Sequence, residues 1–77
     1  MVGFNERKLS VLEAIAELGE VRAWDIADYL DIGIWAARKA LSRYRRQGLL
    51  YRSWGLYWLS DKGLERLEYL QESYYQL

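Results

Sequence analysis

The feature that most constrains this chain is a basic segment, residues 33–46, that contains no acidic residue. Apolar side chains recur in it at the i, i+3, i+4, i+7 spacing of one buried helical face: Ala37, Ala40, Leu41 and Tyr44. Surface helices usually mix acids and bases, because a Glu–Lys pair stabilises an isolated helix by about 0.2–0.5 kcal/mol. The segment therefore predicts an amphipathic helix whose exposed face binds an anionic partner, and nucleic acid is the obvious candidate.

Charge is distributed unevenly along the 77 residues, although the formal net charge is zero. Residues 32–60 carry six bases and no acid, a net charge of +6. Residues 1–31 carry seven acids and three bases (−4), and residues 61–77 carry four acids and two bases (−2). A partner experiences the local field of one face, since screening limits its range to a Debye length of about 8–10 Å. Net neutrality therefore does not argue against a nucleic-acid-binding surface.

Length and composition exclude several classes of protein. We expect one domain, residues 1–77, with a limited core. Cysteine and histidine are both absent, which removes disulfides, thiolate zinc sites and the commonest general base. We therefore expect no enzymatic activity and no cofactor or metal. No apolar run approaches the about 20 residues that span a bilayer, and the N-terminal segment turns polar too early for a signal peptide, so we expect a cytoplasmic protein.

Helix and turn signals divide the chain into six elements. Gly19, Gly33 and Gly48 lie where helices should start or stop. The Leu, Tyr and Trp content of residues 49–59 favours two strands around a two-residue turn at Trp54 and Gly55. The predicted order is helix 6–18, helix 23–30, helix 34–47, strand 49–53, strand 56–59 and helix 61–75, a mainly α fold with a small β-hairpin.

The first and last helices each carry an apolar stripe. In the first helix we expect burial of Leu9, Leu12, Ile15, Ala16 and Leu18. In the last helix the stripe comprises Leu64, Leu67, Leu70 or Gln71, Tyr74 and Leu77. Because the last helix extends beyond what the core needs, it either packs back on the first helix or forms a homodimer interface.

The order of elements and four local motifs resemble the winged helix-turn-helix family. Residues 26–33 are similar to the motif L-A-x-x-L-G-I-S, and Ala37 with Leu41 match the inward positions of the recognition helix. Residues 43–49 are similar to R-L-x-x-x-G-L, and residues 57–64 are similar to Y-x-L-T-x-x-G. The resemblance implies a DNA-binding domain with helix 34–47 in the major groove, hairpin 49–59 as a wing, and dimers that bind palindromes.

The sequence departs from that family's pattern at the tip of the third helix and in the wing. Gly33 replaces the usual Ser or Thr, and Ile34 and Trp35 occupy the tip. The turn of the wing, residues 53–55, is too short to reach far into a minor groove. The helix therefore combines an apolar tip with a charge concentrated from Arg38 onward.

The resemblance also implies roles for the exposed side chains. The start of the recognition helix contacts base edges, whereas cations farther along it or on the hairpin contact phosphates. We expect base contacts from Trp35, Arg38, Lys39 and Ser42. We expect phosphate contacts from Arg43, Arg45, Arg46 and Arg52. Two alternatives stay open: Trp35 inserts into DNA or packs against the second helix or a partner chain, and Trp54 reaches DNA or folds over the first helix.

Two functions from different classes follow from these features. The first is sequence-specific binding to double-stranded DNA by a transcription regulator. The second is a winged-helix module that binds proteins within a larger assembly and does not bind DNA directly. The neutral net charge, the short wing and the many Trp and Tyr residues favour the second, since aromatics and Arg are enriched at interface hot spots.

Overall fold

The computed structural model describes residues 4–75, and for Phe4 and Asn5 it describes the backbone. These residues form four helices and one two-stranded antiparallel sheet. In chain order the elements are α1 (Phe4–Leu18), α2 (Ala23–Leu30), α3 (Ile34–Arg46), β1 (Leu50–Ser53), β2 (Leu56–Leu59) and α4 (Asp61–Tyr75). The predicted fold class and all six elements are confirmed, and every boundary lies within two residues of its predicted position.

Helix α1 lies at the centre of the fold, because α2, α4 and β2 all pack against it. Contact on several sides makes its buried surface wider than one stripe, and Val11 and Ala14 are buried together with Leu9, Leu12 and Ile15. The predicted burial of Ala16 and Leu18 is wrong, since both are exposed. They follow Ile15, the last residue of α1 that its neighbours cover completely.

Helices α2 and α3 form the helix-turn-helix. The first turn of α2 is held by Asp25, whose carboxylate accepts a hydrogen bond from the Arg22 backbone N–H at 2.7 Å. Asp31 ends α2 in the left-handed conformation, with φ of 55°. Gly33 then begins α3 with extended backbone, and its carbonyl accepts the Ala37 N–H at 3.0 Å. A three-residue link, residues 31–33, therefore joins the two helices.

The hairpin is attached to the link between α1 and α2. Val21 exchanges two backbone hydrogen bonds with Tyr57, at 2.8 and 2.9 Å, and so forms an isolated antiparallel bridge beside β2. Tyr57 and Leu59 are partly buried and pack against the core. The hairpin is therefore fixed to the helical core on the side of β2.

Helix α4 packs back on α1, which was one of the two predicted alternatives. Its Leu67 and Leu70 are buried in the core. Near its end, Gln71 Nε2 donates to Glu13 Oε2 at 3.1 Å, and the Tyr75 hydroxyl donates to the same carboxylate at 3.1–3.2 Å. A dimer interface on the remaining surface of α4 stays a prediction.

The apolar stripe of α4 is rotated from its predicted position. Leu64 and Tyr74 are exposed, which contradicts the prediction, whereas Gly63 is buried. Gly63 lies against the Leu49 carbonyl with no room for a Cβ atom, so this face of α4 approaches the strand backbone and turns Leu64 outward. The predicted contribution of Leu77 lies outside the described residues.

Candidate nucleic-acid interface

The two faces of α3 differ as the sequence predicts. Its apolar positions, Ala37, Ala40, Leu41 and Tyr44, are all buried against the core. Its polar positions are all exposed: Arg38, Lys39, Ser42, Arg43, Arg45 and Arg46. Because α3 contains no acidic residue, its solvent-facing side is a continuous cationic surface from the second turn to the end of the helix.

The tip of α3 presents an aromatic ring to solvent. Trp35 is 72% exposed, so the alternative in which it packs against α2 is wrong within the chain. The Arg38 guanidinium carbon lies 5.3 Å from the centre of the Trp35 ring, which is cation–π distance. The ring therefore restrains Arg38, one of the predicted base-contacting residues, at the start of the basic surface.

A buried lysine supports the far end of α3. Lys8 of α1 is only 7% exposed, and its ammonium donates to Gln47 Oε1 at 2.9 Å. It also lies 5.5 Å from the centre of the Tyr44 ring. Burial, with further contributions from the charges of Arg66 and Arg43, lowers the pKa of Lys8 below its usual value of 10.5. The basic end of α3 is thus anchored to α1 by a cation.

A second cation holds the last carbonyls of α3. Lys62 of α4 donates to the Gln47 backbone carbonyl at 3.0 Å. Cations are favourable at a helix C-terminus, where unpaired carbonyls carry partial negative charge. The end of α3 is therefore fixed from two sides, by α1 and by α4.

The hairpin turn projects a second tryptophan into solvent. Trp54 and Gly55 both have positive φ, 54° and 79°, as a two-residue hairpin turn of the primed type requires. Trp54 is 93% exposed, so the alternative in which it folds over the first helix is wrong. Arg22 Nη1 donates to the Trp54 carbonyl at 3.3 Å, which connects the turn to the start of α2.

The end of α3 and the hairpin together form a groove of about 550 Å³. It is lined by Arg45 and Arg46 from α3, and by Tyr51, Arg52 and Trp58 from the hairpin. The Tyr51 and Trp58 ring centres are 6.0 Å apart with an interplanar angle of 51°, because the two residues are paired across the strands. The groove therefore brings Arg45 and Arg46 beside two aromatic rings, whereas the Arg52 guanidinium lies 5.7 Å from the centre of the Tyr57 ring, on the other face of the strand pair.

All nine predicted site residues are exposed, and they fall into three groups. Trp35, Arg38, Lys39 and Ser42 lie on the first half of α3; Arg43, Arg45 and Arg46 lie on its second half; Arg52 and Trp54 lie on the hairpin. The structure joins Arg45 and Arg46 to Arg52 through the groove.

The sequence-based prediction missed three residues that shape this surface: Lys8, Arg22 and Tyr51. Lys8, Leu12 and Ile15 lie at i, i+4 and i+7 on one helical face, a spacing that indicates burial of the Lys8 methylene groups. Tyr51 and Trp58 are equidistant from the predicted turn, so their pairing was also predictable. Arg22 gave no local signal, since its partner lies 32 residues away.

The described residues contain neither a cluster of metal-binding side chains nor a helix able to cross a membrane. Between residues 4 and 75 no three or more Asp or Glu side chains are grouped so as to hold a metal ion. Within the same range no helix has the length and apolar character needed to cross a membrane. The basic surface is thus the feature of the described chain that most directly suggests a ligand.

The architecture, three helices followed by a hairpin and a further helix with an exposed cationic third helix, is that of a winged helix-turn-helix protein. Among solved structures the chain is similar to the oxidised form of MarR from E. coli, with a TM-score of 0.81, 19% identity and 92% of this chain covered. It is also similar to YusO from Bacillus subtilis, with a TM-score of 0.78, 20% identity and 82% of this chain covered. These matches confirm the fold.

The similarity is structural and partial. The matched part is 55% of the MarR chain and 50% of the YusO chain, so this chain spans about half the length of each. No protein-family model and no curated protein matches the sequence.

Proposed function

We propose that this protein binds double-stranded DNA in a sequence-specific manner and acts in the cell as a transcription regulator. The observation that carries the proposal is the exposed, acid-free face of α3 on a winged helix-turn-helix fold. In this geometry α3 lies in the major groove, with its first residues at the base edges, and the hairpin is a short wing beside it.

The position of each side chain along α3 determines its proposed role. Arg38 and Lys39 lie in the first half of the helix, where bidentate contacts to guanine O6 and N7 are available. Trp35 and Ser42 complete the base-contacting set. The cations of the second half, Arg43, Arg45 and Arg46, and Arg52 on the hairpin contact phosphates. Trp54 lies at the wing tip, where its ring meets the DNA backbone or the adjacent groove.

Selection of bound duplexes from a random pool tests this proposal. Enrichment of one short motif is expected, with a guanine opposite Arg38 or Lys39. A pool that shows binding without enrichment would indicate a non-specific DNA-binding protein. A pool that shows no binding at low salt would contradict the proposal.

We also propose that the protein dimerises through α4. Leu64, Tyr69, Tyr74 and Tyr75 leave an exposed apolar and aromatic surface on this helix, whereas Leu67 and Leu70 are used within the chain. Two recognition helices must lie about 34 Å apart to read a palindrome, so the selected motif should be an inverted repeat. Sedimentation equilibrium of the wild type and of a Tyr69→Glu variant tests this, since the variant should shift the protein toward monomer.

A second candidate function is binding to another protein without direct contact to DNA. The exposed Trp24 and Tyr29 on α2 favour it, because neither ring is used by the core. The two functions differ in one outcome. An interaction module would not bind mixed duplex DNA at low salt, whereas a regulator would.

A further inference from the structure

We infer that the groove between the end of α3 and the hairpin is also a binding site for single-stranded nucleic acid, through two aromatic rings that the proposed duplex contacts do not use. The site comprises Arg45, Arg46, Tyr51 and Trp58. Unpaired bases stack on the two rings while the two guanidinium groups contact the phosphates. This activity goes beyond duplex binding and does not depend on it.

The first argument is the placement of the rings. Tyr51 and Trp58 face each other across the hairpin in the observed strand register, with ring centres 6.0 Å apart. Alternation along each strand places them opposite to Leu50 and Leu59, which face the core. Tyr51 is more than half exposed. The outer face of the hairpin is therefore an aromatic surface that the core does not require.

The second argument is charge. Two arginines of α3 line the groove, and the segment from residue 32 to residue 60 that supplies both of them has no acidic residue. Arg45 and Arg46 are exposed at the end of α3, on the side of the hairpin. A peptide partner offers no regular row of anions to match, whereas a phosphate backbone places one negative charge at every nucleotide.

The third argument distinguishes single strands from a duplex. Bases in a duplex are stacked on each other and offer only their edges, so side-chain rings do not reach their faces. Proteins that bind single strands combine a cationic groove with aromatic side chains, and the stacking tolerates any base. The groove has both elements, and it lies at the opposite end of α3 from the tip that carries Trp35.

The test is a titration of the whole 77-residue chain with a labelled oligothymidylate of about eight nucleotides, followed by fluorescence anisotropy. A matching oligouridylate separates DNA from RNA, and an abasic oligomer of equal length retains the phosphates without the bases. We expect the oligothymidylate to bind roughly tenfold more tightly than the abasic oligomer, because stacking requires bases. With two phosphates contacted, by Arg45 and Arg46, log K should fall with log salt with a slope of about −1.4.

Three variants make the outcome specific to the groove. Tyr51→Thr and Trp58→Thr place β-branched side chains in the strands and should each weaken oligothymidylate binding roughly tenfold, with no change in binding of a duplex. Leu18→Ala truncates an exposed side chain at the end of α1, outside both the groove and α4, and should leave both unchanged. Circular dichroism confirms that each variant is folded.

The failure of this inference is distinguishable from failure of duplex binding. Equal affinity for the oligothymidylate and the abasic oligomer, or insensitivity to both strand variants, overturns the single-strand site and leaves duplex binding untouched. A changed duplex sequence preference in a Lys39→Ala variant whose oligothymidylate affinity is unchanged supports a distinct single-strand site. Absence of any oligonucleotide binding at low salt overturns the inference outright.

Discussion

Lys8 Nζ donates a hydrogen bond to Gln47 Oε1 at 2.9 Å and so links the first helix to the residue that ends the basic helix. The lysine is nearly buried, and its ammonium also faces the ring of Tyr44. The second half of α3 is therefore oriented partly by a cation from outside it. Arg45 and Arg46 directly precede Gln47 in the chain.

Two substitutions of Lys8 measure separately what its methylene stem and its charge contribute to stability. Lys8→Ala should lower the free energy of unfolding by about 1–2 kcal/mol, because the buried methylenes leave a cavity. Lys8→Met retains most of that volume and relieves the burial of charge, so its unfolding free energy should lie within about 0.5 kcal/mol of the wild type. Urea denaturation at pH 7 measures both, and an equal loss in the two variants would contradict this account.

Because the pKa of Lys8 is lowered, the difference in stability between the wild type and Lys8→Met should depend on pH. Between the lowered folded-state pKa and the usual value of 10.5, the unfolded chain binds the Lys8 proton and the folded chain does not. Stability therefore rises with pH in this window. The wild type should gain stability relative to Lys8→Met as the pH approaches 10.5, as measured by thermal unfolding. A difference that stays constant with pH would show that Lys8 is not desolvated.

Gly63 is expected to be the glycine least tolerant of a side chain. A Cβ atom there would overlap the Leu49 carbonyl oxygen and crowd the Leu59 side chain. The Gly63 N–H also donates to Ser60 Oγ at 3.0 Å, and that hydroxyl donates to the Gly48 carbonyl at 2.6 Å. Gly63→Ala should therefore destabilise the protein by about 3 kcal/mol in urea denaturation.

Gly33 provides the matched control. It begins α3 with φ of −67° and ψ of 150°, and a Cβ atom at this position would have no neighbouring atom within 4 Å. Gly33→Ser supplies a hydroxyl that accepts a free N–H of the first turn, so stability should rise by a few tenths of a kcal/mol. Similar losses in the two variants would contradict the packing described for Gly63.

Trp54 carries a conformational cost with no packing benefit. A bulky residue in the left-handed region is destabilised by about 1–2 kcal/mol, and this ring is almost fully exposed. Trp54→Asn gives the Asn-Gly pair that this turn favours, so the unfolding free energy should rise by about 1 kcal/mol. Duplex affinity should fall several-fold in the same variant, as measured by fluorescence anisotropy. Unchanged affinity would remove Trp54 from the DNA-binding surface.

The sequence predicted the six elements well because each has a local cause. Glycines mark the breaks, and α3 buries one clean stripe since the core covers it from one side. Helix α1 was harder, because α2, α3, α4 and β2 all contact it and its buried surface includes Lys8, whose charge conceals an apolar stem. Leu64 was misplaced because the close approach of Gly63 to Leu49 sets the rotation of α4, and periodicity within one helix does not contain that contact.

The prediction of the site was limited in the same way, because local patterns indicate which side chains are exposed but not which separate elements lie close together. Exposure of the nine residues follows from the helical period and the hairpin turn. The proximity of Arg45 and Arg46 to the hairpin, and the contact between Arg22 and Trp54, arise from the packing of separate elements. Local sequence patterns do not encode these distances.

Lys39 and Arg45 should differ in the kind of binding defect that they cause. Lys39→Ala removes a base contact, so it should change the preferred sequence and cost about 1–3 kcal/mol at one position. Arg45→Ala removes a phosphate contact, so it should weaken binding to all duplexes to a similar extent. Competition with selected and mixed duplexes measures both. The assignment is wrong if Lys39→Ala weakens all sequences equally.

The salt dependence of duplex binding tests the central claim most directly. The proposal places four cations of each chain on phosphates, so log K against log salt should have a slope of about −3.6. Anisotropy titrations with one labelled duplex at several salt concentrations give this slope. A steep negative slope, reduced by about one in Arg45→Ala, is the predicted result. Binding that does not depend on salt, or no binding at low salt, would contradict a DNA-binding role for the α3 surface.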